Sequence, residues 1–356
     1  MPPRSASTRA FLRRRLLPAT ALLLCAALLA ACGNAGQGEA PAGAASQQAT
    51  LRIGKQFGIV YLLLDVADAK GFIVEQAKAQ GLAVKVETRQ LSGGAAINDA
   101  LLSGAIDVAG AGTGPLFTLW DRTRGRQDVR GVASLGNFPY QLISNAPSVR
   151  SIDDLRPSDR IAVPAVGVSV QARILQYASA QRWGQAQALK LDAQQVALPH
   201  PDAAAAIISG GSEITAHFST PPFQQQELAR NPAAHVILDS YQVLGGPSSA
   251  TVLYATAKFR KDNPALYHAF LAGLDQAAKF IVAHPEEAAE VYVQRNPGSE
   301  REQVLAVLRD PQVQFTIAPQ NTLGLGRFMQ QVGAIKQAPG AVGDYFFDDP
   351  LIAGGS

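Results

Sequence analysis

The chain has 356 residues, of which 47% are hydrophobic, 17% charged and 7% aromatic. That is longer than one hydrophobic core usually serves, so two lobes are expected, and the balance excludes a disordered or fibrous chain. The formal net charge of +3 comes from the front: five of the 31 basic residues and none of the 28 acidic ones precede Cys32, leaving 26 against 28, so a basic nucleic-acid surface is not indicated.

The front end is read first. Arg4, Arg9, Arg13, Arg14 and Arg15 form a basic head before the apolar run Leu16–Ala31. That run is shorter than the roughly 20 residues of a bilayer-spanning helix and has the character of an export-signal core. It closes on Leu29-Ala30-Ala31-Cys32, which resembles the bacterial lipobox. The resemblance implies a signal peptide over 1–32, lipidation at Cys32, and anchoring on the periplasmic side of a bacterial membrane. Residues 33–49, rich in Gly, Ala, Ser and Gln, are expected to form a flexible tether. The only other cysteine, Cys25, lies inside the signal, so the folded body has neither disulfide nor thiol chemistry.

Behind the tether, Leu51–Gly54 reads as a strand, Tyr61–Lys70 as a helix and Val84–Leu91 as an alternating strand. Ser92-Gly93-Gly94 turns into a helix over Ala95–Leu102, stopped by Ser103-Gly104, and Ile106–Ala111 is the next strand. This alternation predicts an α/β lobe with helices on a mostly parallel sheet. A second lobe follows the same scheme. Ser151–Leu155 is a short capped helix, Arg160–Val163 a strand, Val170–Gln181 a helix, Gln195–Leu198 a strand, Ala203–Ile208 a helix and Ile214–Phe218 a strand. The tail reads as four helices, over Pro264–Ala283, Glu286–Gln294, Glu300–Leu308 and Leu323–Ile335.

The two halves carry an internal near-repeat. Asp99–Phe117 and Ala205–Phe223 align without a gap over nineteen positions, with five identities: Ala100/Ala206, Ser103/Ser209, Gly104/Gly210, Pro115/Pro221 and Phe117/Phe223. Each copy spells a helix end, a Ser-Gly stop, a strand, and a loop of small hydroxyl and proline residues. A unit built twice predicts two similar lobes, each offering one loop to a shared cleft.

With that layout, the chain resembles the periplasmic solute-binding proteins of ABC importers, in the branch with nitrate, taurine, aliphatic-sulfonate and thiamine-precursor binders. The resemblance is carried by Leu51–Gly54, Leu101–Val108, Ser151–Leu155 leading to Arg160–Val163, Ser209–Pro222, and Asn263–Phe270 before His284-Pro285-Glu286. It implies an α/β, two-lobed periplasmic binding protein fold (type II), with two crossover hinge strands and the ligand cleft between the lobes. Residues 50–140 plus 239–356 form lobe 1, and 141–238 lobe 2. It further implies a monomeric extracytoplasmic substrate-binding subunit that closes on a small anionic organic or oxyanion solute and delivers it to permease and ATPase partners. A thiamine-pyrimidine-precursor binder or enzyme of the same fold, or a lipoprotein sensor or scaffold without a transport role, are the alternatives.

In open α/β sheets, ligands sit where strands end and helices begin. The candidate ligand contacts are therefore Gln56 and Phe57 after the first strand, Ser92 and Gly93 after the second, and Thr113 and Gly114 after the third. In the second half they are Val168 and Ser169, then Phe218, Ser219 and Thr220, with Tyr140 at the first crossing. Ser92–Ala95 and Val168–Val170 are expected helix N-termini, whose free N–H groups suit an anion. Phe57, Tyr140 and Phe218 are expected to wall the organic part, and Lys55 is a solvated lysine within reach of an anion. His200, His217, His235, His268 and His284 show no metal-ligand spacing, and G-x-S-x-G, phosphate-loop and dinucleotide fingerprints do not appear. The expectation is a receptor, not an enzyme, with no metal and no cofactor.

Overall fold

The computed structural model describes residues 48–356, so Cys32, the signal and nearly all of the tether lie outside the described residues. Ten strands form two five-stranded sheets. The first has the order β2-β1-β3-β10-β4, made of β1 (Ala49–Lys55), β2 (Val84–Gln90), β3 (Val108–Gly112), β4 (Val129–Ser134) and β10 (Thr251–Thr256). The second has the order β7-β6-β8-β5-β9, made of β5 (Gln141–Ser144), β6 (Arg160–Val163), β7 (Gln195–Ala197), β8 (Ile214–Ser219) and β9 (His235–Asp239). The two orders are equivalent. In each, three parallel strands are followed by an antiparallel one that belongs to a crossing: β10 runs antiparallel to β3 and β4, and β5 antiparallel to β8 and β9.

The near-repeat falls on the same position in both sheets. Its first copy is the end of α3 (Gly94–Leu102), all of β3 and the start of α4 (Thr113–Thr123); its second is the end of α6 (His200–Ser209), all of β8 and the start of α7 (Phe223–Arg230). The remaining α-helices before β10 are α1 (Leu62–Ala69), α2 (Phe72–Ala79), α5 (Val170–Trp183) and α8 (Ser240–Leu244). Burial follows the sheet logic: every residue of β3 is buried, as a central strand covered on both faces requires.

The chain crosses from the first sheet to the second over 135–140 and returns over 240–250. The crossings lie side by side. Ser240 N–H donates to the Tyr140 carbonyl at 2.8 Å, and Tyr140 N–H donates to the Ser240 hydroxyl at 2.8 Å. The tail packs mainly on the first sheet's helices, its longest helix, Pro264–Ala283, lying across α1 and α2. One tail helix, Leu323–Gln331, also reaches α5: Phe328 stacks on Tyr177 with ring centres 4.5 Å apart. Among the described residues no helix is long and apolar enough to cross a membrane.

Two differences from the sequence reading bear on the site. The segment Gly112–Pro115, expected as a loop, opens α4 instead. Pro115 falls in its first turn, where a missing N–H costs nothing because that donor has no intrahelical acceptor. The helix expected over Ala203–Ile208 begins three residues earlier, at His200, with Pro201 in its first turn. His200 is thereby fixed on a rigid element.

Candidate ligand-binding cleft

A small cavity lies between the two sheets. The first half contributes Gln56, Phe57, Val60 and Tyr61 after β1, and Gly94, Gly112 and Pro115 from the starts of α3 and α4. The second half contributes Ser169, Val170 and Gln171 from the start of α5, His200 from the start of α6, and Thr220 after β8. The crossings add Tyr140 and Thr251. Not one of these side chains is an aspartate, glutamate, lysine or arginine.

Four helix N-termini converge here. Gly94 is the first residue of α3, Gly112 the N-cap of α4, Ser169 the N-cap of α5 and His200 the first residue of α6. The first N–H groups of a helix have no intrahelical acceptor, and each N-terminus carries about half a positive charge. The Ser169 hydroxyl accepts from Ala172 N–H at 3.3 Å, which satisfies the third donor of α5 and leaves those of Val170 and Gln171 at the cavity. The site is thus electropositive without a formal cation.

Hydroxyls line the opposite wall. Tyr61 donates to the Gly110 carbonyl at 3.2 Å and accepts from Gln56 Nε2 at 3.2 Å. The Tyr140 phenol pairs with the Thr251 hydroxyl. Thr220 lies beside the same phenol, and its buried hydroxyl makes no hydrogen bond of acceptable geometry within the protein. Burial pushes the Tyr61 phenol well up and that of Tyr140 up to about 12, the Thr251 bond opposing the shift at Tyr140, so both stay protonated donors at neutral pH.

Glycine lets the two halves meet. A Cβ on Gly112 would stand 2.7 Å from Val170 Cβ, and one on Gly114 would stand 2.7 Å from the Val168 carbonyl oxygen. These distances leave no room for a side chain, so α4 abuts the turn before α5 only because both positions are bare.

Of the sequence-predicted contacts, Gln56, Phe57, Tyr140, Ser169 and Thr220 are brought together on the cavity. The others are not. Ser92 is exposed, and Gly93 is packed against the Pro164 carbonyl. Thr113 is buried with its N–H on the Ala250 carbonyl, while Gly114 and Val168 touch each other beside the cavity. Phe218 and Ser219 are wholly buried; alternation along β8 turns Phe218 into the core, and Ser219 donates to Glu227. Lys55, read as solvated, instead forms a buried ion pair with Asp65.

Sequence reasoning missed a chain of buried polar groups behind the cavity. His217 Nδ1 is 2.7 Å from Glu227 Oε1, which also accepts from the Ser219 hydroxyl at 2.9 Å. His217 Nε2 is 2.8 Å from His200 Nδ1, and His200 Nε2 is 3.2 Å from Gln171 Nε2. His217, Ser219 and Glu227 are fully buried, and Gln171 and His200 open only to the cavity they line. Desolvation, and then the neighbouring His217, hold the His200 pKa well below that of a free imidazole, so the ring is neutral. The ring nitrogens address one another rather than a common point, and among the described residues no group of His, Cys, Asp and Glu is arranged to hold a metal. The one sequence signal was Pro201-Asp202, a helix-start signature that places His200 at a helix N-terminus.

Two mixed α/β sheets, joined by paired crossings and enclosing a cavity at converging helix N-termini, define a two-lobed binding-protein fold. The chain belongs to the NMT1/THI5-like family, whose model matches residues 62–288. No curated protein sequence matches it. Its fold is similar to that of the alkanesulfonate-binding protein SsuA of Xanthomonas axonopodis pv. citri bound to MOPS, with a TM-score of 0.65 at 17% identity over 83% of this chain and 96% of that one. It is similar as well to the periplasmic nitrate-binding protein NrtA of Synechocystis, with a TM-score of 0.65 at 14% identity over 84% of each chain. A third likeness is to the periplasmic aliphatic sulphonate binding protein SsuA of Escherichia coli, with a TM-score of 0.60 at 17% identity over 85% of this chain and 98% of that one.

Proposed function

We propose that this chain is the extracytoplasmic substrate-binding subunit of an ABC import system, capturing a small sulfonate, taurine or nitrate type of anion by lobe closure. The observation that carries the reading is the convergence of four helix N-termini and several hydroxyls on one small cavity shared by both sheets. Such a cavity stabilises a negative oxygen-rich group with dipoles and neutral donors. The solved structures of similar fold, whose names record sulfonate and nitrate binding, support the same class of ligand.

The lobes of this reading are 50–140 plus 239–356 and 141–238, turning about the paired crossings at Tyr140 and Ser240. A solute touched from both sides is held fully only in the closed form, so binding shifts the population towards closure. The closed receptor then hands its solute to a permease driven by an ATPase, and Cys32 carries the lipid that keeps the protein at the periplasmic face of the membrane.

The test is a thermal-shift and calorimetric screen of the body from residue 48 onward against sulfonates, taurine, nitrate and thiamine precursors. A true ligand at 100 times its Kd adds about 2.7 kcal/mol of stability. If no member of the panel stabilises the protein, the receptor reading fails.

A further inference from the structure

The two halves meet on four sides of the cavity. At the crossings, Tyr140 and Thr251 form its wall. Beside α4 and α5, Gly112 and Gly114 lie against Val170 and Val168. A third contact joins the turn after β1 to the turn after β8. There Ile59 N–H donates to the Pro221 carbonyl at 3.1 Å, and a Cβ on Gly58 would stand 3.1 Å from the same oxygen. The second and third contacts flank the cavity from opposite faces of the first sheet. Right-handed crossovers from β1 to β2 and from β3 to β4 run in opposite directions, which puts α1 and α4 on opposite faces. The fourth side is the one away from the crossings. Gly93 follows β2, the far edge strand of its sheet, and Pro164 follows β6, next to the corresponding edge of the other. A Cβ on Gly93 would stand 2.5 Å from the Pro164 carbonyl oxygen, so the backbones touch there too.

Burial agrees with this enclosure. Among the described residues that line the cavity, every one is buried except Phe57, which is partly exposed. Phe57 thus reaches both the cavity and solvent. A solute with an organic tail longer than the cavity has two courses. It pushes Phe57 aside, or it holds the halves apart and forfeits the Ile59–Pro221 bond and the glycine contacts. Either course weakens binding, as extra methylenes do in any well-packed interior. In an open groove the sign is the reverse, since each further methylene covered there would tighten binding about fourfold.

We propose that this ring of contacts limits the receptor to a compact anion with at most a short organic tail, Phe57 being the side chain that stops a longer one. The inference rests on the receptor reading above and narrows its ligand class to solutes that the cavity encloses whole. MOPS, whose sulfonate carries a propyl chain and a morpholine ring, lies beyond that limit, although the SsuA of Xanthomonas axonopodis pv. citri is bound to it.

The experiment is a chain-length series. Calorimetric Kd values for nitrate, ethanesulfonate, hexanesulfonate and MOPS are measured on the body from residue 48 onward and on Phe57→Ala. In the unaltered protein, ethanesulfonate is expected to bind about tenfold or more tightly than hexanesulfonate or MOPS. Phe57→Ala opens the wall and shrinks that ratio severalfold, because the longer tail then passes out through the gap. Affinity that climbs from ethanesulfonate to hexanesulfonate in the unaltered protein, or MOPS bound as tightly as ethanesulfonate, overturns the inference and leaves the receptor standing. A ratio that Phe57→Ala does not move overturns the assignment to Phe57. If that variant does not fold, the series on the unaltered protein still decides, because groove and enclosure give opposite signs. Failure of every anion, nitrate included, overturns the receptor reading and this inference with it.

Discussion

Gly114 and Val168 stand so close that the glycine's missing Cβ would lie 2.7 Å from the Val168 carbonyl oxygen. The contact joins the start of α4 to the turn before α5, and so joins the two sheets beside the cavity. Gly114→Val should leave the separate halves folded and block their meeting. Gly114 also precedes Pro115, and a side chain before proline disfavours the helical backbone, so part of the effect falls on the first turn of α4. The expected outcome is an unchanged far-ultraviolet spectrum, loss of ligand-induced thermal stabilisation, and a larger radius of gyration in the presence of ligand. A variant that still closes in solution scattering would remove this contact from the closing surface.

Ser169 combines two roles that can be separated. Its hydroxyl caps α5, and the residue lines the cavity. Ser169→Ala should cost about 1 kcal/mol of stability through the lost cap and weaken anion binding by about tenfold through the loosened helix start. Ser169→Asp should restore the cap while placing a negative charge at the cavity, so stability recovers and anion binding disappears. Denaturant unfolding and titration calorimetry on the pair distinguish the roles; recovery of both by aspartate would contradict an anion site.

The ion pair of Lys55 and Asp65 gives a stability prediction for each of its two members. Asp65 is almost wholly buried, and Arg295 approaches it at 3.7 Å. Asp65→Ala leaves buried positive charge uncompensated and should cost about 3–5 kcal/mol. Lys55→Met keeps the apolar volume but leaves the more buried Asp65 carboxylate facing only Arg295 at 3.7 Å, and should cost a comparable amount. Anion affinity should be unchanged in Lys55→Met, because the lysine is spent on Asp65. A marked loss of affinity in that variant would make Lys55 a ligand contact after all.

Stability should depend on pH through His200 on the acid side and the tyrosines on the alkaline side. The His200 pKa is depressed in the folded protein, so the unfolded chain binds one more proton as pH drops. Its contribution is fully present above about pH 6.5 and is lost as pH falls, by at most about 1.4 kcal/mol per pH unit for one proton. The phenols of Tyr61 and Tyr140 are shifted up, so their contribution is present below about pH 10 and is lost as pH rises beyond it. Chemical denaturation at a series of pH values measures both limbs. In His200→Phe the acid limb should be shallower by one proton; an identical slope would show that the histidine is not held neutral.

Much of the frame was legible in the residues. β6 runs over Arg160–Val163 and the long tail helix over Pro264–Ala283, as their patterns predict. The near-repeat predicted that two equivalent strands exist, and β3 and β8 occupy the same place in their sheets. The returning strand β10 was not legible, because its partners β3 and β4 lie more than a hundred residues earlier and a short apolar run carries no record of them. The start of α4 was hidden by Gly112-Thr113-Gly114-Pro115, residues that punctuate a loop as readily as they open a helix. Behind the cavity, His200, His217 and Glu227 come from a helix, a strand and another helix. Their spacing in the chain matches no motif, and only the packing of α6, β8 and α7 makes them neighbours.

The cavity's lack of any lysine or arginine sets how such a site treats salt and shape. A point cation attracts every anion, and bulk ions compete for it. Partial charges spread over helix ends and hydroxyls act only at short range and only along fixed directions. Affinity built that way should hardly change between dilute and concentrated buffer, whereas moving one oxygen of the solute should change it greatly. In the proposed receptor it would also leave no strong electrostatic tether on the solute once the lobes part, so that opening alone would suffice for release.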